Sequence, residues 1–382
     1  MRIHVVGIGA VGNFVAFHLR RSLHPRHSVV ALHRSETSQL IPNDPDGALL
    51  SIERDGAMHA HDDPAVRDAI GPIDSLVVTT KAFAVRSVVR KLRRHLSRDS
   101  TIVLLNNGMG VYETVIKDVF PEPADRPNFV LCSNTHGLYS KGFLHSVHTA
   151  VGRIQLGIVP DTSGHNYEAS YSASDRYTDA QLSLNDIADV SPGAHPPTRY
   201  LNLRNTIAAL QNAPGLRASW EPFQDVRIAM LSKLVVNAFV NPVSALLQCR
   251  NGEVFATEYG SVIADRVCRE AERVFRSQWL AEVHYQMRTS KEQTDAAFRP
   301  TPFPRQLEAA VMRREISRVV EMTKNNYSSM YMDVKLRRPT EIDFINGHIV
   351  AMGKKYKYRS LVNMSLMELI KMRSAIPLAP QP

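Results

Sequence analysis

Cysteine is scarce in this 382-residue chain. There are three, Cys132, Cys249 and Cys268, far apart and without C-x-x-C spacing. This excludes a disulfide framework and a thiolate zinc centre, and it suits a reducing compartment, cytoplasmic or mitochondrial. Long apolar runs are also missing; none approaches the roughly 18–20 residues of a membrane span. Arg2 leads straight into the apolar residues 3–6, which leaves no room for a signal or transit peptide ahead of them. Charge of one sign does not dominate: 46 Lys+Arg oppose 37 Asp+Glu, a net charge of +9. The basic residues fall in separate groups: Arg20/Arg21, then Arg90, Lys91, Arg93 and Arg94, then Arg313/Arg314, then Lys354/Lys355. They read as solvated helix faces and not as one nucleic-acid patch. The surplus still suits an anionic partner, such as a phosphorylated cofactor or an acidic substrate. What is present is ordinary for a globular protein: 44% hydrophobic and 22% charged residues, long enough for two domains with a full core.

The N-terminal part alternates strand and helix patterns. Residues 2–6, 28–33, 74–80, 101–105, 129–133 and 153–159 read as strands, with helical stretches at 13–22 and 85–96. Such alternation predicts a parallel α/β sheet. Residues 161–200 turn rich in Ser, Asp, Tyr and Pro and read as a surface insertion or mobile linker. After it come helical patterns at 202–212, 225–248, 259–285, 305–336, 340–353 and 361–373, with a break at 288–305 and a frayed tail after Ser374. The expected organisation is a Rossmann-type α/β domain over 1–200 and an all-α domain over 201–382.

Gly7, Gly9 and Gly12 form G-x-G-x-x-G, with Ala10 and Val11 between the last two, after a strand and before a helix. In that context the first glycine makes the tight turn, the second lets the backbone approach a pyrophosphate, and the third lets helix and sheet pack closely. The helix N-terminus then offers N–H groups to the phosphates. An NAD site places an acidic residue at the end of the second strand, whereas here stand His33, Arg34 and Ser35. A guanidinium at that place suits a 2′-phosphate, so NADPH/NADP+ is the expected cofactor, read by Arg34.

In the apolar run 230–247, Lys233, Asn237 and Asn241 recur at i, i+4 and i+8 and share one helical face. A lysine deep in such a run is costly unless it meets a polar cleft or a partner. Three donors in line make a wall for a small carboxylate or carbonyl substrate. Pro242 is expected to end or kink this helix. A second set, Asn326, Ser329 and Asp333, again shares a face, and Glu341 stands in the first turn of a following helix, where spacing alone favours a simple capping role.

Together these blocks resemble the ketopantoate reductase (2-dehydropantoate 2-reductase) family. The resemblance rests on the glycine turn, Lys81 in VVTTKAF, NNGMG at 106–110, NTHG at 134–137, the Lys233-to-Pro242 block, NGE at 251–253, and the run from Asn326 to PTEIDFING. It covers about residues 2–160 and 220–372. It implies an NADPH domain joined to a helical domain like that of 6-phosphogluconate dehydrogenase, with the active site in a cleft between them and a role in pantothenate and coenzyme A biosynthesis. By the same resemblance Lys233 is the general acid and Glu341 anchors the substrate hydroxyl. Asn237, Asn241, Ser329 and Asn326 hold the remaining substrate, Arg34 and Lys81 meet cofactor phosphates, and Asn107 lies near the nicotinamide. No metal is expected; His136 shapes a strand end. The partner is a 2-keto acid, in a monomer or a homodimer. Two features depart from the family pattern: the insertions at 161–200 and 288–305, and KYRSLVNMS, which lacks the usual proline before the last helix. The alternatives are reduction of another branched 2-keto acid, and a non-catalytic NADP-binding or RNA-associated scaffold on the same fold.

Overall fold

The computed structural model describes residues 1–32, 50–60, 71–171, 182–292 and 301–376. Arg34 and the tail after residue 376 lie outside the described residues. The chain divides into two compact units. The first holds residues 1–106 and 111–227, the second residues 107–110 and 228–382. The expected boundary at 200/201 thus falls at 227/228. The reason is a helix, Thr198–Gln211, whose Leu203, Ile207 and Leu210 are buried in the core of the sheet unit.

In the first unit the expected strands form. They are β1 (Arg2–Val6), β2 (Ser28–Leu32), β5 (Ser75–Val78), β6 (Thr101–Leu104), β7 (Asn128–Asn134) and β10 (Ile154–Ile158), numbered so as to leave room for β3 (Ser51–Arg54), β4 (Ala57–Ala60), β8 (Gly137–Gly142) and β9 (His145–Ala150). A short strand, β11 (Ala218–Trp220), completes a seven-stranded sheet in the order β11-β10-β7-β6-β5-β1-β2. The strands from β2 to β7 run parallel, whereas β10 is antiparallel to β7 and carries β11 with it. The parallel strands are nearly all apolar because both faces are covered. Helix α1 (Ala10–Ser22) follows β1 and α2 (Ala82–Leu92) follows β5. On α2, Val85, Val89 and Leu92 are buried while Arg90 and Lys91 are exposed, the solvated basic face expected.

A second sheet, β4-β3-β9-β8, was not expected from the sequence. Its β3–β4 hairpin closes through Asp55 and Gly56, both at positive φ, a pairing that matches the twist of a two-residue turn. Helix α1 packs on this sheet as well as on the large one. Asn13 Nδ2 donates to Ser51 O at 2.7 Å and lies 3.0 Å from Ser146 Oγ, and Ser146 Oγ reaches Ala10 O at 3.2 Å. That double contact is why residues 12–17 of α1 are all buried.

The described part of 161–200 is a surface insertion but not a loose linker. Asp161 ties its two ends together, pairing with Arg199 at 3.3 Å and accepting from Tyr200 Oη at 2.9 Å and Ser163 Oγ at 2.6 Å. Tyr167 is buried, and Glu168 accepts the backbone N–H of Phe223 at 2.7 Å. Its serines and aspartates close local turns and caps instead of solvating a tether.

The second unit is helical: α6 (Phe223–Leu247, entering from the first unit), α7 (Glu258–Glu292), α8 (Ala309–Met322), α9 (Ser329–Lys335), α10 (Asn346–Lys355) and α11 (Leu361–Ala375), with α3 (Val111–Asp118), α4 (Leu184–Ile187) and α5 (Thr198–Gln211) belonging to the first. Helix α7 runs past 288, so the break there begins later than expected. The pattern at 305–336 is two helices, because Ser328 caps α9 by accepting from Tyr331 N. Asn326 therefore precedes α9 and does not share its face. Among the described residues α6 alone is long and apolar enough to cross a membrane, by length and composition only; most of its apolar stretch is buried inside the protein, as in a core helix. After Arg227 its polar positions are serine and asparagine apart from one charge, Lys233.

Pro242 does not end α6. Proline lacks an N–H, so the carbonyl of Ala238, four residues back, loses its helical donor. Asn346 at the start of α10 supplies one: its Nδ2 lies 2.8 Å from Ala238 O and 3.1 Å from Asn363 Oδ1. Asn363 Nδ2 donates in turn to Glu270 at 2.9 Å, and Glu270 accepts the N–H groups of Val362 and Asn363. This buried relay fixes α6, α7, α10 and α11 to one another.

Candidate active site

In the first unit the G-x-G-x-x-G turn leads from β1 into α1. Gly7 has φ +94°, and a Cβ there would meet Thr80 N at 2.5 Å. At Gly12 a Cβ would meet Gly7 O at 2.4 Å, so these two glycines are required by packing alone. Gly9 differs: it is exposed, and among the described residues nothing lies within 4 Å of where a Cβ would stand. It also occupies the N-cap of α1, which has no side-chain cap and no acidic residue in its first turn. Uncapped N–H groups, with no acidic residue in the helix's first turn and open space among the described residues, are what a pyrophosphate needs, so a dinucleotide fits. Ala10 and Val11 are half-buried behind this turn. Lys81 is the N-cap of α2, just beyond β5, the strand beside β1. The turn and Lys81 thus flank the point where strand order reverses, at the carboxyl ends of β1 and β5, where open α/β sheets take their ligands.

The second unit assembles the catalytic candidates. Lys233 Nζ on α6 donates to Asn107 Oδ1 at 3.0 Å. Loss of hydration lowers the Lys233 pKa to about 8, and the field of Glu341 raises it in part. The amine is therefore neither lost in hydrocarbon nor remote from the acid. Glu341 is buried at the N-cap of the short 3₁₀ turn Ile342–Phe344, yet its side chain makes no capping bond there, so the simple capping role fails.

Asn237 is half-buried and Asn241 buried on the face of α6 that carries Lys233. Ser244 Oγ lies 3.2 Å from Asn241 O and 2.8 Å from Ser328 Oγ. Ser328 is thus the buried hydroxyl that ties α9 to α6, a part that sequence reasoning missed; its N-cap position before a short helix carried the signal. Ser329 beside it is exposed in the first turn of α9, and Asn326 is exposed, its carbonyl accepting from Asn251 N at 2.9 Å. His136 is buried at the end of β7 and packs on His148, 3.0 Å between Nδ1 and Nε2, with its Nε2 donating to Leu216 O. This is a structural cluster of the first unit.

The profile of the ketopantoate reductase PanE/ApbA family matches residues 3–161, and that of the family's C-terminal region matches residues 225–374. A 2-dehydropantoate 2-reductase of Vibrio cholerae is 26% identical over 371 residues, 97% of each chain. A ketoisovalerate reductase of Beauveria bassiana is 25% identical, covering 97% of this chain and 82% of its own. Among solved structures, a D-mandelate dehydrogenase with NADH and anilino(oxo)acetate superposes with a TM-score of 0.69 at 18% identity, over 98% of each chain.

Proposed function

Because this chain belongs to the ketopantoate reductase family, we propose that it reduces 2-dehydropantoate to (R)-pantoate with NADPH, Lys233 serving as general acid. It is an oxidoreductase whose named relatives include 2-dehydropantoate 2-reductases, and a nicotinamide cofactor accords with the fit of the glycine turn. The observation that carries the reading is the Lys233 ammonium held on Asn107 within the field of Glu341.

In this reading NADPH, when bound, supplies the hydride to the keto carbon. Gly7, Gly9, Ala10, Val11 and Gly12 present the helix N-terminus to its pyrophosphate, while Lys81 and Arg34 take its phosphates, Arg34 the 2′-phosphate. As the carbonyl oxygen gathers negative charge, the Lys233 ammonium stabilises it and gives up a proton, a contribution of roughly 10²–10⁴-fold. The neutral amine left behind regains a proton from solvent; with a pKa of about 8 it does so readily at neutral pH. Glu341 accepts the substrate hydroxyl. Asn237, Asn241, Ser329 and Asn326 hold the rest of the keto acid, and Asn107 keeps the amine aimed.

The relative named ketoisovalerate reductase favours a second reading, reduction of another branched 2-keto acid. Apolar pockets discriminate by only about 1–3 kcal/mol per methylene, so the two differ in degree. NADPH oxidation with a panel of branched 2-keto acids decides. Highest kcat/KM for 2-dehydropantoate supports the main reading, highest for 2-ketoisovalerate the second, and no oxidation with any member overturns both. Lys233→Ala should abolish turnover while NADPH still binds; retained turnover removes Lys233 from the mechanism.

A further inference from the structure

Residues 107–110 come from the first half of the chain but group with the second unit. All four residues make contacts that hold them there. Asn107 Oδ1 accepts from Lys233 Nζ. Gly108 lies against Phe344, so closely that a Cβ would come within 2.6 Å of its carbonyl oxygen and 2.7 Å of its Cβ, and the backbone there has φ +84°. Met109 N donates to Phe344 O at 2.8 Å, while the Met109 side chain packs against the helical core. Gly110 lies on the ring of His348, where a Cβ would stand 3.2 Å from Nδ1. Phe344 and His348 are four residues apart, and Phe344 N is bonded at 3.0 Å to the carbonyl of Glu341. The two glycines thus sit on a platform continuous with the residue that carries the acid. Burial holds the His348 pKa down to about 4, so this seat carries no charge at neutral pH.

We propose that Gly108 is a positioning residue. By letting the 107–110 segment lie flat on Phe344 and His348, it fixes Asn107 Oδ1 against Lys233 Nζ and so holds the proton-donating amine in place. A side chain at 108 meets backbone, which cannot swing aside, and an L-residue is strained at that φ. The segment must lift, and a 3.0 Å hydrogen bond is lost once its atoms part beyond about 3.5 Å. An acceptor bonded to an ammonium favours the charged form, so its loss makes Lys233 a weaker base.

The inference rests on Lys233 being the general acid, but its test does not require turnover. Lys233 is titrated directly by NMR of ¹³Cε-labelled lysine, its signal assigned by its absence in Lys233→Met, in the full-length protein. The variants are Asn107→Ala, Gly108→Ala, their double, and Met109→Ala, which loosens the segment without a clash. Asn107→Ala and Gly108→Ala should each lower the Lys233 midpoint by about one pH unit, and the double no further. In turnover with the preferred keto acid each should lose roughly tenfold in kcat, again without addition in the double. Met109→Ala should move the midpoint the same way by less. An unmoved midpoint in Gly108→Ala, or effects that add in the double, overturns the proposal. If Gly108→Ala does not fold, an unmoved midpoint in Met109→Ala does so. Absence of keto-acid turnover in the unmodified protein would defeat the functional reading alone, since the titration still decides the clamp.

Discussion

Replacing Lys233 by methionine should stabilise the protein while ending its activity. Burial brings the Lys233 pKa from 10.5 to about 8 even with Glu341 pulling the other way. A fall of ~2.5 in pKa, at about 1.36 kcal/mol for each, means that the folded state carries roughly 3 kcal/mol of unfavourable charge at neutral pH. Between pH 8 and 10.5 the unfolded chain still binds the proton that the folded chain has released, so this burden is relieved as pH rises through that window. It is present in full below pH 8. Methionine matches the lysine stem in size and removes the charge, but it leaves Asn107 Oδ1 without that donor and Glu341 without that cation. Those losses reduce the gain to about 1–2 kcal/mol, a rise of roughly 3–6 °C in Tm for a unit of this size. Calorimetry on both proteins at pH 7 and pH 10 is the assay. The variant should melt higher at pH 7, and its advantage should shrink toward pH 10. A Tm below that of the unmodified protein at pH 7, or a gap that widens with pH, would refute the claim that the ammonium is held at a cost.

The remaining predictions concern the frame and the cofactor. Asn346→Ala should cost about 2–4 kcal/mol in urea unfolding, because Ala238 O and Asn363 Oδ1 lose buried donors. It should cost less in a Pro242→Ala background, where the restored N–H serves Ala238 O; equal costs in both backgrounds would exclude the proposed substitution of one donor for the other. Gly9→Ala should fold normally yet weaken NADPH binding by about tenfold, whereas Gly12→Ala, which meets Gly7 O, should lower Tm as well; titration calorimetry beside thermal melts separates the two. Arg34→Ala should cut the NADPH-over-NADH preference by roughly 10–100-fold, and an unchanged ratio of kcat/KM values would mean that another group reads the 2′-phosphate.

The parallel strands were legible because each is a short apolar run with both faces covered, and the glycine turn because sterics dictate two of its three glycines. The second sheet was not: β3 and β4 have four residues each, and β8 is mostly exposed and polar. Asp55-Gly56 was its one local signal. Lys233 stood out as a charge on an apolar helix, but its bond to Asn107 joins residues far apart in the chain, and no spacing encodes that. Of the two outcomes expected at Pro242, an end or a kink, the end does not occur, for the same reason: the amide that replaces its missing donor comes from Asn346, in another helix.

Helix α1 lies wedged between two sheets, with Asn13 bonded to the smaller one. A glycine turn braced in this way has little conformational freedom left to surrender, should a dinucleotide bind there as proposed. Association should therefore draw mainly on electrostatic attraction and carry little entropic penalty from ordering the polypeptide. Mutations in the small sheet, however remote from the glycines, should then act on cofactor affinity by loosening that brace.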